Sequence, residues 1–290
     1  MGTKTPVAVL GLGLMGGGMA AQLIRKNFDV TVYNRTLQKT HALRDLGAKV
    51  APTPAEAASG AEFILSMVAD DDATRSVWLG ENGALSGAAP GSILIECSTI
   101  SGAWARELAQ LAKARGCEML DAPVTGTKPH AAAGELLFLV GGSDAALDRA
   151  RPVLSAMGRG IVHLGPVGSG ALVKLINNFV AGVQAVAIGE AIALIERTDL
   201  DAAKALSVLT EGAPGSPLVK LISKRMMTRD FEPNFALKLM MKDVHYAIEE
   251  ARSCSMSLET AMAAARVMHK ASEAGLGEKD FSAVIEALRR

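Results

Sequence analysis

The chain has 290 residues, 49% of them hydrophobic, and its 30 Lys plus Arg balance 30 Asp plus Glu. That length and apolar content suit two domains with a large core, and the neutral balance offers no electrostatic footprint for nucleic acid or an anionic membrane. Aromatic residues make up only 4%, which argues against base-stacking surfaces. Cys97, Cys117 and Cys254 are widely spaced with no CxxC, the pattern of reduced and mostly buried thiols and not of a disulfide or metal framework. No charged N-terminal segment precedes a long apolar stretch, and no uninterrupted apolar run reaches membrane-spanning length, so the expectation is a cytoplasmic protein.

Val7 to Leu10 form an apolar run of the kind buried in a parallel sheet, and Gly11, Gly13 and Gly16 then fit GxGxxG at the head of a helix reaching Ile24. In such a unit the first glycine allows the tight turn, the second lets backbone approach a pyrophosphate, and the third lets helix pack on strand, while the helix N-terminus offers N–H donors to phosphate. The glycines alone are a weak signal. Between a strand and a helix they predict a dinucleotide cradle. A second strand, Asp29 to Tyr33, ends in Asn34-Arg35-Thr36, where an acid would ordinarily hold the ribose hydroxyls of NAD. A neutral Asn34, the donor fork of Arg35 and the Thr36 hydroxyl favour a 2′-phosphate instead, so NADPH is expected in preference to NADH. The competing reading makes Asn34 a cap on the next helix and Arg35 a solvated charge.

Further strand-like runs lie at Ala61 to Val68, Ser92 to Glu96, Glu118 to Asp121, Leu136 to Val140 and Ile161 to Leu164, with helical stretches at Thr36 to Leu46, Ala103 to Ala114 and Asp144 to Met157. Alternation of this kind predicts a parallel, doubly wound α/β sheet of Rossmann type. Asp70-Asp71-Asp72 reads as a solvated helix start, not a cation site. From Gly168 the strand signal stops. Ala171 to Glu196 reads as one long helix, apolar over too much of its circumference to sit on a surface. Helices follow at Asp201 to Leu209, Pro217 to Met227, Ala236 to Arg252, Glu259 to Ala274 and Phe281 to Arg289. The expected division is therefore a dinucleotide-binding domain over 1–167 and an all-α domain over 168–290, the latter building a homodimer or homotetramer.

Lys174 sits on the first turns of the long helix, just past the glycine-rich link. A lysine on the inner face of an apolar helix is costly to bury without a partner, and desolvation would bring it toward neutral-range proton transfer; the bland alternative is a lysine snorkelling to solvent. Asn178, four residues on, shares its face and can brace the ammonium or a substrate oxygen, while Asn177 points elsewhere. The histidines at 41, 130, 163, 245 and 269 show no ligand spacing, and no metal is expected; only His130 lies near a motif of interest. Arg225 and Arg229 read as surface charges, and Cys97 as a core thiol.

GLGLMGGGMAAQL at Gly11 to Leu23, DAPVTG at Asp121 to Gly126, GSGALVKLINN at Gly168 to Asn178 and LKLMMKDVHYAIEEA at Leu237 to Ala251 resemble, in order and spacing, the motifs of the β-hydroxyacid dehydrogenase family. The resemblance covers essentially the whole chain. Within the family, the NRT after the second strand, Lys128, and the tail GLGEKDFSAVIEAL at Gly275 to Leu288 are most similar to the NADPH-dependent glyoxylate/succinic semialdehyde reductases. The resemblance implies Lys174 as catalytic acid with Asn178 its companion, and a substrate site of Thr125, Gly126, Thr127, Phe235 and Asp243. It implies cofactor contacts from Gly11, Leu12, Gly13, Leu14, Met15, Gly16, Asn34, Arg35, Thr36, Met67, Val68, Thr99 and Lys242. Thr125 stands where serine is usual and Thr127 where many members have glycine; both narrow the turn.

The function expected on these grounds is NADPH-dependent reduction of a small carboxylate-bearing aldehyde to its hydroxyacid. The alternatives are an NAD(P)-dependent 3-hydroxyisobutyrate or tartronate semialdehyde-type dehydrogenase, an imine reductase, which usually has an acid or tyrosine where Lys174 sits, and a catalytically silent dinucleotide-binding module.

Overall fold

The computed structural model describes residues 4–289. β1 (Pro6–Leu10) leads through the glycine turn into α1 (Gly16–Arg25), and β2 (Asp29–Tyr33) is followed by a 3-10 turn over Leu37–Thr40, α2 (His41–Asp45) and the two-residue β3 (Lys49–Val50). Next come α3 (Pro54–Ala58), β4 (Phe63–Ser66), α4 (Asp71–Leu79), α5 (Ala84–Gly87), β5 (Ile93–Glu96), α6 (Gly102–Ala114) and β6 (Glu118–Asp121). β7 (Val124–Thr125), α7 (Lys128–Ala133), β8 (Leu136–Gly141), α8 (Asp144–Met157) and β9 (Gly158–Gly165) complete the sheet region. The helical region holds α9 (Ser169–Ile195), α10 (Ala202–Glu211), α11 (Pro217–Thr228), α12 (Leu237–Ser253), α13 (Glu259–Ala271) and α14 (Ile285–Leu288).

Among the described residues one sheet runs β3-β2-β1-β4-β5-β6-β8-β7, with β9 on the other edge of β8. Its first six strands are parallel, in the doubly wound order that places ligands beyond the strand carboxyl ends. The sheet is not parallel throughout. β8 runs antiparallel to β6 and β7, because the short stretch from β7 to β8 holds only α7, less than a parallel crossover needs.

Strand alternation sends Val7, Val9, Leu65, Ile95 and Leu120 to the core shared with α1 and α8. It sends Leu10, Ile64, Leu94 and Met119 to a second core with Trp78 and Trp104. Both indoles are buried and satisfied: Trp78 Nε1 donates to Glu96 Oε2 (2.7 Å) and Trp104 Nε1 to Thr74 Oγ1 (2.6 Å). Asp70 caps α4 through Ala73 N (2.8 Å), as a helix start should. Asp71 instead accepts from the backbone and hydroxyl of Ser101.

Residue contacts separate two compact units, 1–174 and 175–290, dividing within α9. The second has its own apolar core, with Ile188, Ile192, Met226, Met240, Val244 and Met268 among its members. Gly182 packs closely there, since a Cβ would lie 3.0 Å from the side-chain ends of Met268 and Val244.

Several expectations change in detail. The stretch 36–46 is a 3-10 turn and a short helix instead of one helix, and the tail is likewise split at Ile285. α13 stops at Ala271 and gives way to a π-type turn in which Gly275 takes φ +84°. Cys97 and Cys117 are buried, but Cys254, just past α12, is exposed. α9 is 27 residues long and, by length and composition, apolar enough to cross a membrane, with 44% of its most apolar window buried. Leu172, Ile176 and Val180, four residues apart, are 39%, 45% and 42% exposed on the single chain.

Candidate active site

The glycine turn is built by two close approaches and one opening. Gly11 has φ +94°, and a Cβ there would lie 2.4 Å from Met67 O; at Gly16 it would lie 2.0 Å from Gly11 O. Gly13 is exposed and a Cβ would meet nothing within 4 Å. That is the free backbone face a pyrophosphate requires, set against the N-terminus of α1. Asn34 Oδ1 accepts from Leu12 N (2.9 Å), and its Nδ2 donates to Thr36 O (2.9 Å). Asn34 therefore braces the glycine turn instead of capping the next helix. Arg35 and Thr36 are exposed, and Arg35 makes no hydrogen bond or ion pair among the described residues. Leu14 is half exposed, Met15, Met67 and Val68 are partly buried, and Val68 N donates to Ser98 Oγ (2.8 Å). These residues fit a nicotinamide dinucleotide.

The strand ends beside the turn carry a buried polar row. Ser66, Glu96 and Asp121 are register partners on β4, β5 and β6. Glu96 accepts from Trp78 Nε1 and from Ser98 N (2.8 Å). Burial nevertheless pushes its carboxyl up to about 7. Burial, with Glu96 adjacent, also raises the Cys97 thiol well above its ordinary value, the behaviour of an inert core cysteine. Thr99 follows, partly buried. Asp121 Oδ1 accepts from Gly168 N (2.8 Å) and Oδ2 from Ala171 N (2.7 Å), while burial raises its carboxyl to about 6. The sequence reading gave Glu96 and Asp121 no individual task. The available signal was a carboxylate closing an otherwise apolar strand.

After Asp121 the chain turns into β7, where Thr125 pairs with Leu137. Gly126 takes φ +128°, and a Cβ would press on Leu136 and His130 at 3.0 and 3.1 Å. Thr127 and His130 form a reciprocal box at the start of α7: Thr127 N donates to His130 Nδ1 (3.1 Å), and the Thr127 hydroxyl lies 2.9 Å from the same nitrogen. The Thr127 side chain is thus engaged in capping. Lys174, partly buried, follows on the second turn of α9.

In the helical unit Asn178 is buried; its Nδ2 donates to Asp243 Oδ2 (2.6 Å) and its Oδ1 accepts from Asn177 Nδ2 (2.9 Å). Asn177 thus reaches back to Asn178 instead of pointing away. Lys242 Nζ lies 2.9 Å from Asp243 Oδ1 and 4.9 Å from the Tyr246 ring centroid. Phe235 meets Phe281 edge to face at 5.8 Å. The buried Asp280, which sequence reasoning did not single out, accepts from the backbone of Asn234 and Phe235 and from the Ser282 hydroxyl. Arg225 is not a surface charge: its side chain is 11% exposed, with Nε 3.5 Å from Asp280 Oδ1. Arg229 stays exposed.

A parallel sheet in doubly wound order, an open glycine cradle and a separate helical unit define a dinucleotide-dependent oxidoreductase. Residues 6–165 match the NAD binding domain of 6-phosphogluconate dehydrogenase, and residues 168–288 match the NAD-binding domain of NADP-dependent 3-hydroxyisobutyrate dehydrogenase. The chain is 36% identical over 283 residues to glyoxylate/succinic semialdehyde reductase 2, chloroplastic, of Arabidopsis thaliana, covering 98% of this chain and 79% of that protein. It is 34% identical to the NAD-dependent L-serine dehydrogenase of Pseudomonas aeruginosa, over 96% of each. The solved structure of Mycobacterium tuberculosis 3-hydroxyisobutyrate dehydrogenase with L-serine superposes with a TM-score of 0.90 at 33% identity, covering 99% of this chain and 100% of that one. The protein belongs to the β-hydroxyacid dehydrogenase family.

Two outcomes follow from this geometry. Gly13→Ala should leave stability within about 0.5 kcal/mol of wild type yet weaken both NADPH and NADH about tenfold or more, roughly 1.4 kcal/mol. Gly16→Ala should unfold more easily by about 1–3 kcal/mol through overpacking. Denaturant titration and fluorescence titration with each nucleotide distinguish the two variants, and equal destabilisation would refute the open cradle. The second outcome concerns pH. The ordinary Glu96 value is 4.5 and the folded one about 7, so within that window the native state keeps a proton that the unfolded chain has lost. Stability from this group is present at low pH and is lost as pH rises through about 7, by up to about 1.4 kcal/mol per pH unit. Urea unfolding from pH 5 to 8 should show a shallower dependence in Glu96→Gln than in wild type; identical slopes would count against a protonated Glu96.

Proposed function

We propose that the protein reduces small carboxylate-bearing aldehydes, such as glyoxylate and succinic semialdehyde, to their hydroxyacids with NADPH. The observation that carries this reading is the exposed, unengaged Arg35 beside a neutral Asn34 at the end of β2, an arrangement suited to a 2′-phosphate. Bound NADPH supplies the hydride to the carbonyl carbon. The carbonyl oxygen then needs a proton, and we assign that to Lys174 Nζ, whose charge also steadies the negative charge developing there. The Thr125 hydroxyl and the backbone N–H groups of the Thr125–Gly126 turn are assigned to the substrate carboxylate. Asn178 is assigned as the companion of Lys174, with its amide orientation set by Asp243. Phe235 is assigned as a wall of the substrate site, and Lys242 and Thr99 as cofactor contacts. The exposed row Leu172, Ile176 and Val180 supports assembly as a homodimer or homotetramer. The likeness to a dehydrogenase structure with L-serine supports a second reading, oxidation of a larger β-hydroxyacid.

Kinetics with NADPH and NADH over a panel of glyoxylate, succinic semialdehyde, methylmalonate semialdehyde and L-serine test both readings. The unbranched aldehydes with NADPH should give the highest kcat/KM, and preference for L-serine with NAD would overturn the proposal. Arg35→Ala should weaken NADPH by about 1.5–3 kcal/mol and leave NADH nearly unchanged; equal losses would mean that Arg35 does not read the phosphate. Lys174→Ala should lower turnover by about a hundredfold or more at unchanged NADPH affinity, and turnover within a few-fold of wild type would remove Lys174 as the acid.

A further inference from the structure

The start of α9 lacks a side-chain cap of its own. Gly168, the residue before the helix, has φ +97° and no side chain to offer the free N–H groups. Asp121, at the end of β6 and some fifty residues earlier, takes that task, with one oxygen on Gly168 N and the other on Ala171 N. The fit is tight. A Cβ at Gly170 would lie 2.3 Å from Leu139 O and 3.0 Å from Asp121 Oδ2, and a Cβ at Gly141 would lie 2.4 Å from Asp121 Oδ1. Ala171 belongs to the core on this face of the sheet, so the helix start is seated as well as capped. Helical spacing puts Lys174 one turn beyond Gly170 and Ala171 on the same face, with its side chain leaning back toward the helix N-terminus. Asp121 also opens the turn that delivers Thr125 four residues later, where Leu139 N holds Pro123 O and Thr125 pairs with Leu137.

We propose that Asp121 is a positioning residue, a carboxylate bracket that fixes the helix start bearing Lys174 to the end of β6, from which the turn bearing Thr125 emerges, and so sets the proton donor's place relative to the substrate turn. This rests on the assignment of Lys174 as the acid. The bracket needs a carboxylate: its two oxygens each accept from a backbone N–H, whereas an amide or a protonated acid presents a donor to one of them. Burial holds the group at about 6, so the bracket weakens as pH falls through that value. The charged or titratable groups around it are Glu96, its register partner on β5, and Arg106 of α6 beside Gly168; α9 meets it through the backbone of Gly168 and Ala171, and β8 through Gly141.

The test uses the full chain with NADPH and succinic semialdehyde. Asp121→Asn should lower kcat about tenfold, with NADPH affinity within twofold of wild type. The double variant with Lys174→Ala should be no slower than Lys174→Ala alone, because a misplaced acid and a missing acid cost the same step. Wild-type kcat should fall as pH drops through about 6, opposite to the trend of a lysine acid acting alone; Asp121→Asn should abolish that fall and Glu96→Gln should keep it. Turnover of Asp121→Asn within twofold of wild type, or losses that multiply in the double variant, would overturn the bracket while leaving the Lys174 assignment intact. Lys174→Ala turnover within a few-fold of wild type would overturn both. Should Asp121→Asn fail to fold, the wild-type profile still decides, and a kcat flat from pH 7.5 to 5 would refute the proposal.

Discussion

Parallel pairing in strict register brings Leu10, Ser66, Glu96 and Asp121 level at the carboxyl edge of the sheet. Whatever follows these strands must emerge at one height: the glycine turn after β1, Met67 and Val68 after β4, Ser98 and Thr99 after β5, and the Thr125 turn after β6. Because side chains alternate along a strand, Ser66, Glu96 and Asp121 all point to the face lined by Trp78 and Trp104. They are therefore buried, and two of them anchor different segments: Glu96 holds Trp78 and Ser98, and Asp121 holds the start of α9. Burying carboxylates is costly, which is why both groups titrate above their ordinary range. At this edge the cost falls on side chains that order the loops a ligand would meet.

The parts of the fold that were legible are those whose burial leaves a local pattern. β2, β6 and α8 stand at the residues expected: β2 alternates its buried Val30 and Val32 with less buried neighbours, β6 centres on the buried pair Met119 and Leu120, and α8 carries a serine cap at its head. β3, β7 and α5 were not legible; two to four residues cannot display a period, and β7 exists through its pairing with β8. The glycine turn was readable because its three glycines, Gly11, Gly13 and Gly16, fall within six residues of one another. The tasks of Asp121 and Arg225 were not, since each meets its partners far along the chain. Asn34 falls between: its position was informative, but its bond to Leu12, across 22 residues, made it a brace and not a helix cap.

That brace bears on which side chains position 34 can accept. Asn and Asp differ by one atom, and the oxygen that accepts from Leu12 N is common to both; an acid at position 34 would keep the turn and give up only the donor bond to Thr36 O. Arg35, beside it, supports no other part of the fold. Position 34 is therefore tied to the glycine turn through its side-chain oxygen alone, and position 35 is not tied to it by any hydrogen bond or ion pair among the described residues. The end of β2 can thus vary at two adjacent positions while the turn between β1 and α1 keeps its shape.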